Sequence, residues 1–335
     1  MRDLTRDLQL DPAKAVDRIA EALREQLGTV LQRRGLVVAM SGGVDSSVCA
    51  ALAVRAVGPR HVFGLFLPER ESDPTSRTTA LDWADELRIT STTENIAPIL
   101  EAAGCYRRRN DAIRRVIPEF EDSWGCKLVL PNDRSGSGLI NVTYIVVQPP
   151  GGESRRVRLP GAEYREIVAA SNFKQRVRKM IEYFHADRLH YAVVGTPNRL
   201  EYDQGFFVKG GDGLADVKPI AHLYKTQVYQ LADYLGVPKV ITARPPTTDT
   251  YSLPQTQEEF YFSLPTRTLD LVMYAKNAGL APEDVVPSSK LPLEEVQHAY
   301  ADIDQKRATT RYLHLGPQLV EPVDLGHDNA HTEPR

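Results

Sequence analysis

A short apolar run adjoins a glycine-rich loop in Leu36-Val37-Val38-Ala39-Met40-Ser41-Gly42-Gly43-Val44-Asp45-Ser46-Ser47, and this stretch decides the fold. A continuous apolar run of this length is typical of a strand buried on both faces. Upstream, apolar residues recur every four positions over residues 12–34 behind the cap Asp11, which predicts a helix. A further helix is predicted over 47–57. The predicted order is helix, strand, glycine loop, helix.

The same alternation continues along the chain. Further strands are predicted over 61–67, 89–95 and 191–195, and further helices over 76–87, 96–116, 172–186 and 226–235. Strands that alternate with helices are typical of an α/β protein with a doubly wound, mostly parallel sheet. The helix over 96–116 carries five arginines, which we interpret as a solvated face: Arg107, Arg108, Arg109, Arg114 and Arg115.

One segment departs from this rhythm. Residues 139–148 alternate and are β-branched, Pro149-Pro150-Gly151-Gly152 is a turn, and 154–159 can return as a strand, which predicts an inserted β-hairpin. Helices are predicted again over 269–275 and 293–301. The predicted organisation is an α/β domain over 1–250 with an insertion at about 124–164, a helical extension over 251–319 and a polar, disordered tail over 320–335.

Composition and charge restrict the classes of protein to which this sequence can belong. The 335 residues carry a formal net charge of -3 with 42% hydrophobic residues, which is ordinary for a globular protein and gives no sign of a nucleic-acid partner. The N-terminus lacks the apolar core of a signal peptide, and no apolar run has membrane-spanning length, so a cytoplasmic protein is expected. The three cysteines lack metal-site spacing and are expected to be reduced thiols.

The glycine-rich loop has the composition of a phosphate site. Two glycines let backbone N–H groups converge, Ser41 and Ser46 add hydroxyl groups, and the next helix adds the positive end of its dipole. No lysine follows as in the Gly-Lys-Ser/Thr loop of other ATPases. Asp45 would repel phosphate unless Mg²⁺ lay between them, so the loop predicts ATP bound with Mg²⁺ by residues 41–47.

Ser-Gly-Gly-x-Asp-Ser after a strand resembles the N-type ATP pyrophosphatase superfamily. Its members include NAD synthetases, the synthetase parts of GMP and asparagine synthetases, and tRNA thiolases. The resemblance implies an adenine nucleotide alpha hydrolase-like fold and cleavage of ATP to AMP and pyrophosphate.

Later blocks resemble the NAD synthetases in particular. They are Asn172-Phe173-Lys174-Gln175-Arg176-Val177-Arg178-Lys179-Met180, Gly195-Thr196 with Glu201, the block from Gly205 to Asp216, Pro219-Ile220 with Leu223-Tyr224-Lys225, and Pro246-Thr247. The intervals between the blocks also fit that family. The resemblance covers about residues 15–100 and 166–250.

The resemblance implies roles for these residues. Asp45 and Glu201 would hold Mg²⁺, and Thr196, Lys225 and Thr247 would join the loop in binding ATP. Substrate contacts would come from Arg176, Lys209 and Asp216. Asp45 and Lys209 would also be catalytic, together with Asp212, which either orients ammonia or the carboxylate or only shapes a turn.

The C-terminal part departs from the family. In place of the family's His-Lys-Arg the chain has Gln305-Lys306-Arg307, so Gln305 and Lys306 are the candidate substrate residues there. The implied acid is deamido-NAD. Other hypotheses are an amide ligase for a different carboxylate, a nucleotide-binding subunit without catalysis, and, as the weakest, a tRNA thiolase.

The resemblance also implies partners. No glutaminase domain is expected in this sequence, so ammonia would be free or would come from a separate glutaminase. The family forms homodimers, so a homodimer is expected here. The inserted hairpin would be a docking element, a lid or a dimer contact.

Overall fold

A computed structural model describes residues 4–130, 143–245, 250–262 and 264–324 of the chain. Its strands are β1 Leu36–Ala39, β2 Val62–Phe66, β3 Thr90–Thr93, β4 Gly125–Val129, β5 Tyr144–Gln148, β6 Arg155–Arg158 and β7 Ala192–Val194. Its helices are α1 Leu4–Asp7, α2 Pro12–Glu25, α3 Val44–Val57, α4 Pro74–Glu86, α5 Ala97–Ala102, α6 Cys105–Arg114, α7 Gly161–Leu189, α8 Arg199–Asp203, α9 Lys225–Tyr234, α10 Lys239–Thr242, α11 Gln257–Phe260, α12 Thr266–Asn277, α13 Pro282–Ser289 and α14 Leu293–His314. A π-helical turn continues α2, and a 3-10 turn precedes β2.

A four-stranded parallel sheet in the order β3-β2-β1-β7 forms the centre of the fold. Successive side chains of β1 face opposite sides, as a strand requires. Leu36 and Val38 pack into one core with α2, α3 and α9, whereas Val37 packs into another with α5, α6 and α7. Helices therefore cover both faces, and the predicted doubly wound α/β fold is confirmed.

Several helix boundaries differ from the predicted ones, and the helix predicted over 293–301 extends to His314. The helix after the glycine loop begins at Val44 rather than at residue 47, because Gly43 is its extended N-cap, and Asp45 therefore lies in the first turn. The helix predicted over 96–116 is broken at Gly104, whose φ of +71° is left-handed. The helix predicted over 172–186 is the second half of the 29-residue α7.

The predicted hairpin is part of a second, three-stranded antiparallel sheet in the order β4-β5-β6. β5 and β6 form the hairpin with Ile145 opposite Val157, and residues 139–142 of the prediction lie outside the described residues. β4 was not predicted from the sequence. Inward side chains of this sheet, including Cys126 and Val147, pack against Ile113 of α6 and Ile167 of α7.

The C-terminal helices form their own apolar cluster. Residues of α12, α13 and α14 pack together with Leu4 of α1. The described part of the predicted tail ends at residue 324, and 325–335 lie outside it. Among the described helices, none combines the length and apolarity that crossing a membrane would need.

A buried ionic cluster joins the loop after β2 to α6 and α7, and we call it the Lys174 cluster. Lys174 is 2% exposed, and its ammonium donates to Glu69 Oε1 at 2.9 Å and Glu71 Oε2 at 2.6 Å. Arg109 donates to Glu71 Oε2 at 2.8 Å, and the Tyr106 hydroxyl donates to Glu69 at 2.7 Å. The prediction that the α6 arginines form a solvated face is wrong for Arg109, which is 3% exposed.

The cluster makes the stability of the protein depend on pH. Burial alone would raise the pKa of Glu71, but Arg109 and Lys174 lower it to about 2. A carboxylate with a lowered pKa stabilises the fold fully above its ordinary pKa near 4.5, and that stability is lost as the pH falls toward 2.

We expect Glu71→Gln to lower the free energy of unfolding by about 3 kcal/mol at pH 7, because two buried cations lose their shared carboxylate. Urea unfolding at pH 7 and pH 4 should also show a smaller loss at low pH in the variant than in the wild type. The control is Asp17→Asn, which breaks the exposed pair with Arg55 and should change little. Equal effects of both substitutions would contradict a stabilising role of the cluster.

Candidate active site

The candidate site lies at the carboxyl edge of the central sheet, between β1 and β7. These neighbouring strands are followed by the glycine loop and by the segment from Gly195 to Glu201. Open α/β sheets bind ligands at such a point, where the strand order reverses. A cavity of about 830 Å³ opens there, lined by residues 41–46, Thr196, Glu201 and Lys225 among others.

The loop after β1 is held in one conformation by its own side chains. Gly42 has a φ of +82°, and a Cβ atom there would lie 2.3 Å from the carbonyl oxygen of Ser76. The hydroxyls of Ser46 and Ser47 donate to the Gly43 carbonyl at 3.1 and 2.9 Å. Ser41 donates its N–H to Ser46 Oγ at 3.2 Å. Ser47 therefore stabilises the loop through its hydrogen bond to Gly43. It is not among the described residues that line the cavity.

Two carboxylates face this loop from neighbouring elements. Asp45 forms an ion pair with the buried Lys225, and its Oδ1 accepts from Asn198 Nδ2 at 3.3 Å. Glu201 Oε1 accepts from Gln257 Nε2 at 2.9 Å, and Oε2 accepts from the Asn198 N–H at 3.1 Å. Asn198 thus contacts both carboxylates and links the two loops.

Acidic side chains outnumber basic ones where Asp45, Glu201 and Lys225 meet. Burial and the neighbouring charge of Asp45 raise the pKa of Glu201 to about 7. Burial alone would lower the pKa of Lys225, but Asp45 and Glu201 raise it above its ordinary value. One lysine therefore faces two acids, which is a donor set that suits a divalent cation with phosphate oxygens. No group of three or more His, Cys, Asp or Glu side chains suited to a metal occurs among the described residues.

Lys225 is held in place by a residue that the sequence analysis did not identify. Asp270 of α12 is fully buried, and its carboxylate accepts from the N–H groups of Lys225 at 3.1 Å and Thr226 at 2.6 Å. Burial raises the pKa of Asp270 to about 6. The N-terminus of α9 is thereby fixed, although 45 residues separate the two partners in the sequence.

The predicted substrate residues Arg176 and Lys209 both line the cavity. Arg176 donates through Nε to the Lys209 carbonyl at 3.3 Å. The Lys209 ammonium donates to the carbonyl oxygens of Tyr312 at 2.7 Å and Leu315 at 2.9 Å, at the end of α14. Lys209 therefore also caps a helix, as cations favourably do at helix C-termini.

The two predicted aspartates differ. Asp212 lines the cavity, and its Oδ1 accepts from the Val208 N–H at 2.7 Å, so it shapes the turn that the sequence analysis considered as one alternative. Burial raises the pKa of Asp212. Asp216 accepts from the Val193 N–H at 2.7 Å and from the Tyr183 hydroxyl at 3.2 Å, and it is not among the described lining residues.

The C-terminal candidates do not join this group. Gln305 is exposed on α14, and Lys306 donates to the Tyr261 carbonyl at 2.9 Å and to Asp302 at 2.7 Å. Within the described residues, neither lines the cavity. The predicted ATP contact Thr247 lies outside the described residues.

Several lining residues were given no role from the sequence, although one of them, Lys174, lies in a block that resembles the NAD synthetases. Glu71 and Lys174 of the Lys174 cluster line the cavity, as does Arg244, which donates to Ser76 Oγ at 2.9 Å and to Asp73 at 3.1 Å. Residues 250–255 and Gln257 form a further part of the wall. Tertiary contacts, rather than a local sequence pattern, bring these residues to the cavity.

Comparison with known proteins gives consistent matches. A family model described as NAD synthase matches residues 15–115 and 155–312. An NH3-dependent NAD+ synthetase of Rhizobium meliloti is 55% identical over 317 residues, which cover 95% of this chain and 94% of that protein.

Two solved structures share the fold. An NMN synthetase from Francisella tularensis superposes with a TM-score of 0.64 at 22% identity, covering 93% of this chain and 99% of that one. An NH3-dependent NAD synthetase from Campylobacter jejuni gives a TM-score of 0.60 at 19% identity, covering 93% and 100%.

We expect Gly42→Ala to weaken ATP binding at least about tenfold, a loss of about 1.4 kcal/mol, because the added Cβ meets the Ser76 carbonyl and moves the loop. Titration calorimetry with Mg-ATP measures the change. The control is Gly236→Ala, where φ is +76° but no atom lies within 4 Å of the added Cβ. That variant should lose only about 1–2 kcal/mol of stability and keep its ATP affinity. Unchanged affinity in both variants would contradict a role of the loop in ATP binding.

Proposed function

This chain belongs to the NAD synthase family, and from that membership we propose that it is an ammonia-dependent NAD synthetase. It joins ammonia to the nicotinate carboxylate of deamido-NAD and cleaves ATP to AMP and pyrophosphate. The observation that carries the proposal is the meeting of the glycine loop, Asp45, Glu201 and Lys225 in one cavity with Arg176 and Lys209.

The reaction needs activation because a carboxylate is a poor electrophile. A carboxylate oxygen attacks the α-phosphorus of ATP, the bond to the β,γ-phosphates breaks, and pyrophosphate leaves. Ammonia then attacks the acyl carbon, AMP leaves with the former carboxylate oxygen, and a proton is released. Positioning and charge neutralisation supply most of the rate enhancement in such a reaction.

Residues of the loop and of α9 are proposed to bind ATP. Loop residues 41–43 and the N–H groups of residues 44–46 at the start of α3 surround phosphate oxygens, where the helix dipole favours negative charge. Lys225 offsets the charge of the triphosphate, and Thr196 lines the same cavity beside them. Thr247 stays a prediction.

Mg²⁺ is proposed as the metal of this site, with Asp45 and Glu201 as its protein ligands. When bound, it would neutralise charge on the phosphates. Two carboxylates lie near Lys225, which forms an ion pair with Asp45 and lowers the pKa of Glu201 by its charge, and this acidic excess supports the proposal. Asp45 would then have two partners, the metal and the ammonium of Lys225, and the ion pair with Lys225 orients its carboxylate.

Arg176 and Lys209 are the proposed contacts to deamido-NAD. A guanidinium and an ammonium at one side of the cavity suit the phosphates of a dinucleotide. Asp212 orients the turn from Val208 that carries Lys209 into place. Asp216, Gln305 and Lys306 lie outside the described lining, so their proposed roles are indirect.

The proposal also covers the oligomeric state, the source of ammonia and the location of the protein. Exposed Met180 and Phe184 lie four residues apart on α7 and support a homodimer through that helix face. Ammonia is proposed to enter free, in keeping with the relative's name, and a separate glutaminase is the alternative source. A cytoplasmic location is proposed because ATP is the co-substrate.

We expect the purified protein, given deamido-NAD, Mg-ATP and ammonium, to form NAD, AMP and pyrophosphate in equal amounts. Asp45→Asn should lower kcat at least about 100-fold, because it removes the charge that holds Lys225 and the metal. Asp233→Asn, at an exposed pair with Lys239, is the control. Nicotinic acid mononucleotide replaces deamido-NAD in a parallel assay as the alternative acid substrate. Absence of NAD at high enzyme concentration, with AMP formed from another acid, would overturn the proposal.

We expect Lys209→Gln to raise KM for deamido-NAD about tenfold while KM for ATP stays unchanged, because only the dinucleotide site loses a cation. Steady-state kinetics with each substrate varied measures both constants. Lys276→Gln is the control, since Lys276 pairs with Asp304 of α14 at 2.8 Å and is not among the described lining residues. A lowered melting temperature with unchanged KM would show that Lys209 serves only to cap α14.

A further inference from the structure

The three-stranded sheet presents its β4 edge to residues 250–261, which we call the crossing segment. Backbone groups of alternate residues point to the same edge of a strand. The Cys126 carbonyl accepts from Leu253 N–H at 3.2 Å, and Leu130 N–H donates to the Glu259 carbonyl at 3.1 Å. Between them, the Leu128 carbonyl accepts from the Gln255 side chain. The edge of β4 is thus paired within the chain itself.

Side chains strengthen this contact. Ser252 Oγ accepts from the Cys126 N–H at 2.9 Å. Lys127 donates to the Pro254 carbonyl at 3.0 Å and to Glu259 at 3.1 Å. A Cβ atom at Gly125 would lie 2.5 Å from Leu253 Cδ2, so a larger residue there would displace the Leu253 side chain.

The sheet is itself fixed to the body of the fold. Its inward residues pack with Ile113 and Ile167 in a buried cluster that also contains Tyr251 of the crossing segment. At the start of the segment, Lys174 donates to the Thr250 carbonyl at 2.8 Å. The crossing segment is therefore anchored both to the sheet and to the Lys174 cluster.

The crossing segment reaches the candidate active site. Residues 250–255 line the cavity, as do Gln257, Phe260 and Tyr261. From this wall, Gln257 donates through Nε2 to Glu201 Oε1 at 2.9 Å. Gln257 is the link from the second sheet to the acidic pair.

We propose that the three-stranded sheet is an internal scaffold for the crossing segment and that Gln257 is a positioning residue that orients Glu201. The Gln257 part rests on the proposed function, whereas the scaffold part does not. Mutation of a side chain that orients a metal ligand typically lowers metal affinity or activity about 10- to 100-fold.

The comparisons support a scaffold added to a shared core. The NAD synthase family model leaves residues 116–154 unmatched, which contain β4 and β5, but it matches the range that contains Gln257. The scaffold role accounts for the added strands without a partner protein, because the edge of β4 is already hydrogen-bonded to the crossing segment.

The scaffold is tested by hydrogen–deuterium exchange on the full chain. The double variant Ser252→Ala/Lys127→Met should speed exchange of peptides over 251–260, because it removes side-chain bonds that hold the segment on β4. Arg155→Met, at the β6 edge of the same sheet, is the control and should leave these peptides unchanged. Unchanged exchange in a folded double variant would overturn the scaffold role.

The positioning role is tested with Gln257→Met. We expect kcat for NAD formation to fall about 10- to 100-fold with little change in KM for deamido-NAD, while exchange of 251–260 stays as in the wild type. Mn²⁺ binding in the presence of α,β-methylene-ATP, followed by electron paramagnetic resonance, should weaken by a similar factor. An unchanged kcat, or unchanged Mn²⁺ affinity, would overturn the role of Gln257. A wild type that forms no NAD would instead overturn the proposed function, and the exchange result would still stand.

Discussion

The buried ion pair between Asp45 and Lys225 joins residues that lie 180 positions apart, and the geometry of the site depends on it. Asp45 stands in the first turn of α3 and Lys225 in the first turn of α9. An isolated charge at either position would be costly to bury, so each requires the other. The pair therefore fixes the helix that follows the glycine loop against the helix that supplies the cation.

Other contacts extend this arrangement outward. Asn198 joins Asp45 to Glu201, Asp270 fixes the start of α9, and Gln257 brings in the crossing segment. The Lys174 cluster holds a further part of the wall through shared carboxylates. Such buried polar networks work only when every member is satisfied. The cavity is thus preorganised by pairs that lie far apart in the sequence, which suits chemistry that depends on position and charge.

The sequence predicted those parts whose signal is local. The apolar run at β1, the alternation of strands and helices, and the glycine loop all gave correct elements. Tertiary pairs left no such signal: Arg109 looked like a solvated arginine until Glu71 was found beside it, and Asp270 and Gln257 lie in no motif. β4 was missed because a five-residue strand depends on its neighbours, here β5 and the crossing segment. Long-range packing, and not local propensity, determines the contacts of these residues.

The central claim is that a substrate carboxylate attacks the α-phosphorus of ATP in the site organised by Asp45 and Lys225. Deamido-NAD labelled with ¹⁸O in its carboxylate tests this directly when the AMP and NAD are analysed by mass spectrometry. We predict that one ¹⁸O per turnover appears in the phosphate of AMP. AMP without the label, or formation of ADP and labelled inorganic phosphate, would contradict the account.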